Sequence, residues 1–130
     1  MIELPAEVRR LIASPGRAHI ATLLPDGSPH SVPAWVGLEG DQIAFQTPPD
    51  SRKARNLEHD PRVAISITDR NDDFSMAVVR GRVVKRLEGE EAMAVVDRLS
   101  LKYTGQPYPL RTGRVAFLVA PEDAFAKKYG

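Results

Sequence analysis

Apolar and polar positions change period several times along the chain, and each change marks an element. Val8, Leu11 and Ile12 recur at helical spacing behind Pro5, and Ser14-Pro15-Gly16 stops the pattern, which predicts a helix over 5–13. Strand-like stretches follow over 17–24, 29–38 and 42–47, parted by Pro25-Asp26-Gly27-Ser28 and Glu39-Gly40-Asp41. Asp-Gly supplies the positive φ angles of a tight hairpin. With Pro25 facing Ser28, His19 is expected opposite Ala34 and His30 opposite Leu23. Pro48-Pro49-Asp50 forces an extended loop, and Ser51 caps a short helix that runs to His59 and closes at Asp60-Pro61. Val63, Ile65 and Ile67 alternate in a strand over 62–68, and a polar loop takes 69–73. A long strand spans 74–87, with a bulge or bend implied at Gly81. Ala92, Val95, Val96 and Leu99 form the apolar stripe of a helix over 88–102 with acidic residues in its first turn. A Pro/Gly-rich loop and a final strand over 114–120 complete the pattern.

Six strands, most of them joined by tight turns, favour a mainly β, antiparallel barrel with flanking helices over a parallel sheet. No repeat or linker divides residues 1–130, so a single domain is expected. The 42% hydrophobic and 27% charged fractions are those of a globular chain. Eighteen basic against 17 acidic residues leave a net charge of +1, with no global footprint for nucleic acid. There is no apolar run of bilayer length and no leader pattern, so neither a membrane nor an export route is expected and the reading is cytoplasmic. Zero cysteines exclude disulfides, thiol catalysis and thiolate metal sites.

Chemistry concentrates in two stretches. Metal ligation is not expected: in the expected hairpin His19 and His30 stand about 13 Å apart along the strand, and His59 lies in another element. No Gly-x-Ser-x-Gly elbow, Walker A or Gly-x-Gly-x-x-Gly pattern occurs, and Asp72-Asp73 and Glu90-Glu91 read as solvated. The first informative stretch is Thr47-Pro48-Pro49-Asp50-Ser51-Arg52-Lys53-Ala54-Arg55-Asn56-Leu57. Its helix begins with three cations that oppose the macrodipole, and a bound anion reverses that sign. Free N–H groups, the Ser51 hydroxyl, Lys53 and Arg55 make a phosphate cradle; the competing reading is a solvated basic helix paired with Glu58 and Asp60. The second is Pro29-His30-Ser31-Val32-Pro33-Ala34-Trp35, where two prolines remove ladder donors. Either this is a plain edge strand with a core Trp, or a flat ring lies against it.

Ala21-Thr22-Leu23-Leu24-Pro25-Asp26-Gly27-Ser28 leading into this strand, Phe45-Gln46-Thr47, Ser51-Arg52-Lys53-Ala54-Arg55-Asn56-Leu57 and Asp60-Pro61-Arg62-Val63-Ala64, in this order, resemble the pyridoxamine-phosphate-oxidase-like split-barrel family. The nearest branch is the one that uses the deazaflavin coenzyme F420. Val79-Arg80-Gly81-Arg82-Val83 and Arg114-Val115-Ala116-Phe117 resemble its later strands. The resemblance implies a six-stranded split barrel that forms a homodimer with cofactor sites between subunits, covering apolar positions such as Val78 and Val83. It assigns the cofactor phosphate to Ser51, Lys53 and Arg55, the ring to Ser31, Val32 and Pro33, and the ring edge or ribityl chain to Gln46 and Thr47. Asn56 fits the motif as a brace, Arg52 suits the polyanionic tail of F420, and Tyr103 and Tyr108 fall where a partner's aromatics enter. No Arg-Trp segment of the true pyridoxamine phosphate oxidases is present, so that activity is not expected, and no general acid stands near the ring. The function implied is F420-dependent hydride transfer to an unsaturated small molecule. An FMN-binding oxidoreductase of the same fold, or a non-catalytic F420 carrier, is the alternative.

Overall fold

The computed structural model describes residues 1–129. They form helices α1 (Ala6–Ala13), α2 (Arg52–His59) and α3 (Gly89–Thr104). The strands are β1 (Arg17–Leu23), β2 (Pro29–Ala34), β3 (Gly37–Glu39), β4 (Gln42–Thr47), β5 (Arg62–Asp69), β6 (Asp72–Leu87) and β7 (Val115–Lys128). All lie in one antiparallel sheet of order β2-β1-β5-β6-β7-β4-β3.

That order and one short link dictate the shape. Laid flat, the seven strands would hold β2 and β3 about 29 Å apart. Yet only Trp35 and Val36 join β2 to β3, and three Cα steps reach about 10 Å. The sheet must therefore curl until its edges nearly meet, which gives a barrel left open along one seam. This is a split barrel.

Alternation fills it. Ile20, Ile43, Phe45, Ile65, Ile67, Val79, Phe117 and Val119 point inward and are buried. Val8, Leu11 and Ile12 of α1 plug one end. At the other end α2 contributes Ala54 and, half-buried, Leu57. Ala44 and Ala116 face outward from β4 and β7 and lie beneath Ala92, Val95 and Leu99 of α3. No described helix is long and apolar enough to cross a membrane.

Four expectations need correction. The single strand expected over 29–38 is two strands on opposite edges, which makes seven instead of six. Trp35 and Val36 break it where the chain crosses the seam. The first hairpin closes through three residues: Gly27 N–H donates to Leu24 O at 2.8 Å and Leu24 N–H to Ser28 O at 2.9 Å, with Gly27 at φ +86°. His19 therefore pairs with Pro33 and His30 with Thr22. This one-residue shift turns the two histidines to opposite faces. The polar loop over 69–73 shrinks to a tight turn at Arg70-Asn71. Finally, β7 continues to Lys128 past Pro121. Pro121 stands opposite Gly81 at a register shift, where a missing donor is tolerated. A Cβ on Gly81 would meet Ala120 O at 2.3 Å, so the expected bulge there also requires glycine.

Candidate functional site

The seam has two unpaired walls. β2 has β1 on one side and no strand on the other, which accounts for Pro29 and Pro33. Across the seam β3 pairs with β4 only over Gln42–Ala44, so Phe45–Thr47 are laddered on the β7 side alone. The link at Trp35 closes one end of this opening, and the start of α2 closes the other.

At the α2 end Thr47, Ser51 and Lys53 gather around the helix start. The Ser51 hydroxyl oxygen accepts from Ala54 N–H at 3.1 Å and from the Thr47 hydroxyl at 2.8 Å. With both lone pairs engaged, the Ser51 hydroxyl proton is free to donate to an incoming oxygen. No acidic residue occupies the first turn of α2. Lys53 is only 9% exposed. Its ammonium lies 6.0 Å from the Phe45 ring centroid, and among the described residues no carboxylate or hydrogen-bond partner reaches it. Desolvation lowers its pKa below the ordinary lysine value. Burying a cation costs free energy unless it is paired, and an anion at this helix start would supply the pair. These two groups fit the phosphate end of a flavin or deazaflavin.

The remaining residues divide between site and scaffold. Asn56 is buried and its amide donates to the Thr22 hydroxyl at 3.0 Å, tying α2 to β1 as the brace expected of it. Arg52 donates to Asn56 Oδ1 at 3.4 Å, and Arg55 is exposed. Thr47 is buried on the inner face of β4 and holds Ser51. On β2 the register sets Val32 opposite Ile20, facing inward, while Ser31 and Pro33 face outward and are exposed. Gln46 lies on the outer face of β4 with a buried Oε1 that has no partner. Tyr103 and Tyr108 pack within their own chain. Tyr103 stacks on Trp35 at 5.1 Å and donates to Gly16 O at 3.1 Å, and Tyr108 meets Trp35 edge-on at 6.4 Å. Together they brace the Trp35 end of the seam. A cavity of about 560 Å³ opens beside it between Pro15, Arg17, Pro33, Trp35 and Tyr103.

Sequence reasoning passed over one residue. His30 appeared there only as a failed metal ligand, yet its Nδ1 is buried with no partner among the described residues.

The comparisons agree with this geometry. An F420 reductase superposes with a TM-score of 0.81 at 27% identity, over 94% of this chain and 98% of that one. A conserved hypothetical protein from Mycobacterium tuberculosis gives 0.77 at 24%, over 98% and 86% of the two chains. General Stress Protein 26 from Bacillus anthracis gives 0.72 at 19%, over 92% and 90%. At those lower identities the last two show the fold alone. No curated protein matches in sequence. The family model for pyridoxamine 5'-phosphate oxidase matches residues 4–128, which is nearly the whole described chain. The chain belongs to the pyridoxamine 5'-phosphate oxidase family.

Proposed function

We propose that the protein is an F420-dependent oxidoreductase that moves a hydride between the deazaflavin and an unsaturated small molecule. The observation that carries the reading is Lys53, a residue nine-tenths buried whose ammonium has no counter-charge among the described residues, beside a helix start that offers N–H and O–H donors. When bound, the reduced form of F420 would supply the hydride from its ring and water the proton that completes the reduction, so the chain needs no acid or base of its own for that transfer. Lys53, Ser51 and the first N–H groups of α2 hold the phosphate, and Arg55 adds charge at the rim. The stretch Ser31-Val32-Pro33 lines the ring with little competing hydrogen bonding, because Pro33 has no N–H and Val32 has no polar side chain. Gln46 Oε1 takes an N–H of the ring edge, which satisfies an otherwise unpaired acceptor. Arg52 meets the anionic tail. The F420 reductase similarity favours the deazaflavin over FMN. We place the protein in the cytoplasm as a homodimer.

Side-by-side titration with F420 and FMN, followed by turnover with a panel of enones, imines and quinones, tests this. The expected result is tighter binding of F420 and loss of at least tenfold in affinity in Lys53→Met, since a charge-assisted contact contributes about 1.5–3 kcal/mol. Tighter FMN binding transfers the reading to a flavin enzyme. Tight F420 binding with no turnover across the panel makes it a carrier. Unchanged binding by Lys53→Met overturns the cradle.

A further inference from the structure

We propose that His30 is a cofactor-binding residue of this site, its Nδ1 accepting a hydrogen bond from a hydroxyl of the polyol chain next to the phosphate. The inference rests on the split-seam site described above and adds a residue that the phosphate motif does not contain. His30 is the second residue of β2, the strand with an unpaired edge along the seam. It stands opposite Thr22 in the register, on the inner face, so the two side chains lie about 5 Å apart at Cβ. Asn56 of α2 donates to the Thr22 hydroxyl at 3.0 Å, and no donor among the described residues, the Thr22 O–H included, reaches His30 Nδ1. Lys53 precedes Asn56 by three residues, which sets both on the same side of α2. His30 is thus placed at the phosphate end of the seam, not at the Trp35 end.

Its imidazole is half-buried, and Nδ1 has no accessible surface and no partner among the described residues. A buried polar atom left unpaired is costly, and native chains rarely keep one without a reason. A polyol phosphate anchored on Lys53 brings hydroxyls to this strand edge and supplies the missing donor once the half-exposed ring turns about χ2 to present Nδ1 to them. An ordered water is the other way to satisfy Nδ1, and the test separates the two.

Affinities for F420, FMN and the ring-free probe ribitol 5-phosphate are measured on the wild type and on His30→Asn, His30→Gln, His30→Phe and Lys53→Met. Asn carries its amide near the place of Nδ1, and Gln carries its amide near Nε2. Expected is a tenfold or greater loss in His30→Phe and His30→Gln, with His30→Asn within about threefold of wild type; a role in packing alone would not be rescued by Asn and spoiled by Gln. Nitrogen-15 resonances of the His30 ring report directly, and the Nδ1 signal is expected to move when ribitol 5-phosphate binds. Cofactor binding that depends on Lys53 but is indifferent to all three His30 variants, with a still Nδ1 signal, overturns the inference and leaves the proposed function standing. Binding of ribitol 5-phosphate that moves Nδ1 while neither cofactor binds does the reverse. Absence of binding by all three probes overturns both.

Discussion

Lys53 sits where burial works against its charge. Its side chain is buried, and desolvation lowers its pKa from 10.5. The cost is full at neutral pH, where folded and unfolded chains both carry the proton. It is relieved only as pH rises through the folded value toward 10.5, where the unfolded chain still binds the proton. Replacing Lys53 by Met removes the charge and keeps the apolar stem. The ligand-free variant is expected to melt about 3–5 °C higher than wild type, equivalent to about 1 kcal/mol. It is also expected to lose the rise in stability with alkaline pH. Thermal melts at several pH values check both, and a lower melting temperature would show that Lys53 is paired in the free protein. At this scale the Ser51 cap was legible, because capping is a local property. His30 was not, since an orphaned ring nitrogen is defined by burial and by what the opposite strand has already committed.

The connections between elements carry their own test. Asp97 on α3 binds Arg111 through two contacts of 2.8 Å and accepts Tyr108 N–H at 3.1 Å. These contacts clasp the loop after α3 so that Tyr108 rests against Trp35. The Arg111 hydrogen bond, aided by the Tyr108 N–H, lowers the Asp97 pKa from 3.8 to about 2. The clasp is therefore complete above pH 3.8 and is lost as pH falls toward 2. Trp35 emission is expected to change across that window in wild type and to be constant there in Asp97→Asn, which has already lost the clasp. A matching acid transition in Asp97→Asn would assign the change to global unfolding instead. Element boundaries were legible wherever punctuation was strong, as at β4, which runs from Gln42 to Thr47 as expected. They failed where tertiary context decided. Asp26-Gly27 reads equally as a two- or three-residue turn, and that choice moved the hairpin register. β3 is only three residues long and pairs away from β2. Pro121 hid the second half of β7, because the bulge that accommodates it is built with Gly81 on another strand.

Across the whole molecule, the proposed homodimer would meet through the outward face of β1, β5, β6 and β7. Ala21, Ala64, Ser66 and Val78 lie on it, half-buried, beside Phe125, which is 47% exposed. Small residues let another sheet approach closely, and Val78 pairs directly with Phe125. Val83, expected to need the same cover, instead packs on the barrel core. Light scattering is expected to give twice 14.3 kDa for the wild type and a monomer for Val78→Glu, whose buried charge would oppose the contact. A wild-type monomer would remove the shared-site picture. The antiparallel β class was legible from turn spacing, but the seam was not. It follows from the two-residue crossing between sheet edges, which becomes visible only once the strand order is known.

The most direct test of the central claim is a crystal structure of the protein soaked with F420. The phosphate is expected within hydrogen-bonding distance of Ser51 Oγ and Lys53 Nζ, with the ring lying along residues 31–33. Phosphate density elsewhere, or a seam filled by the protein's own side chains, would contradict it.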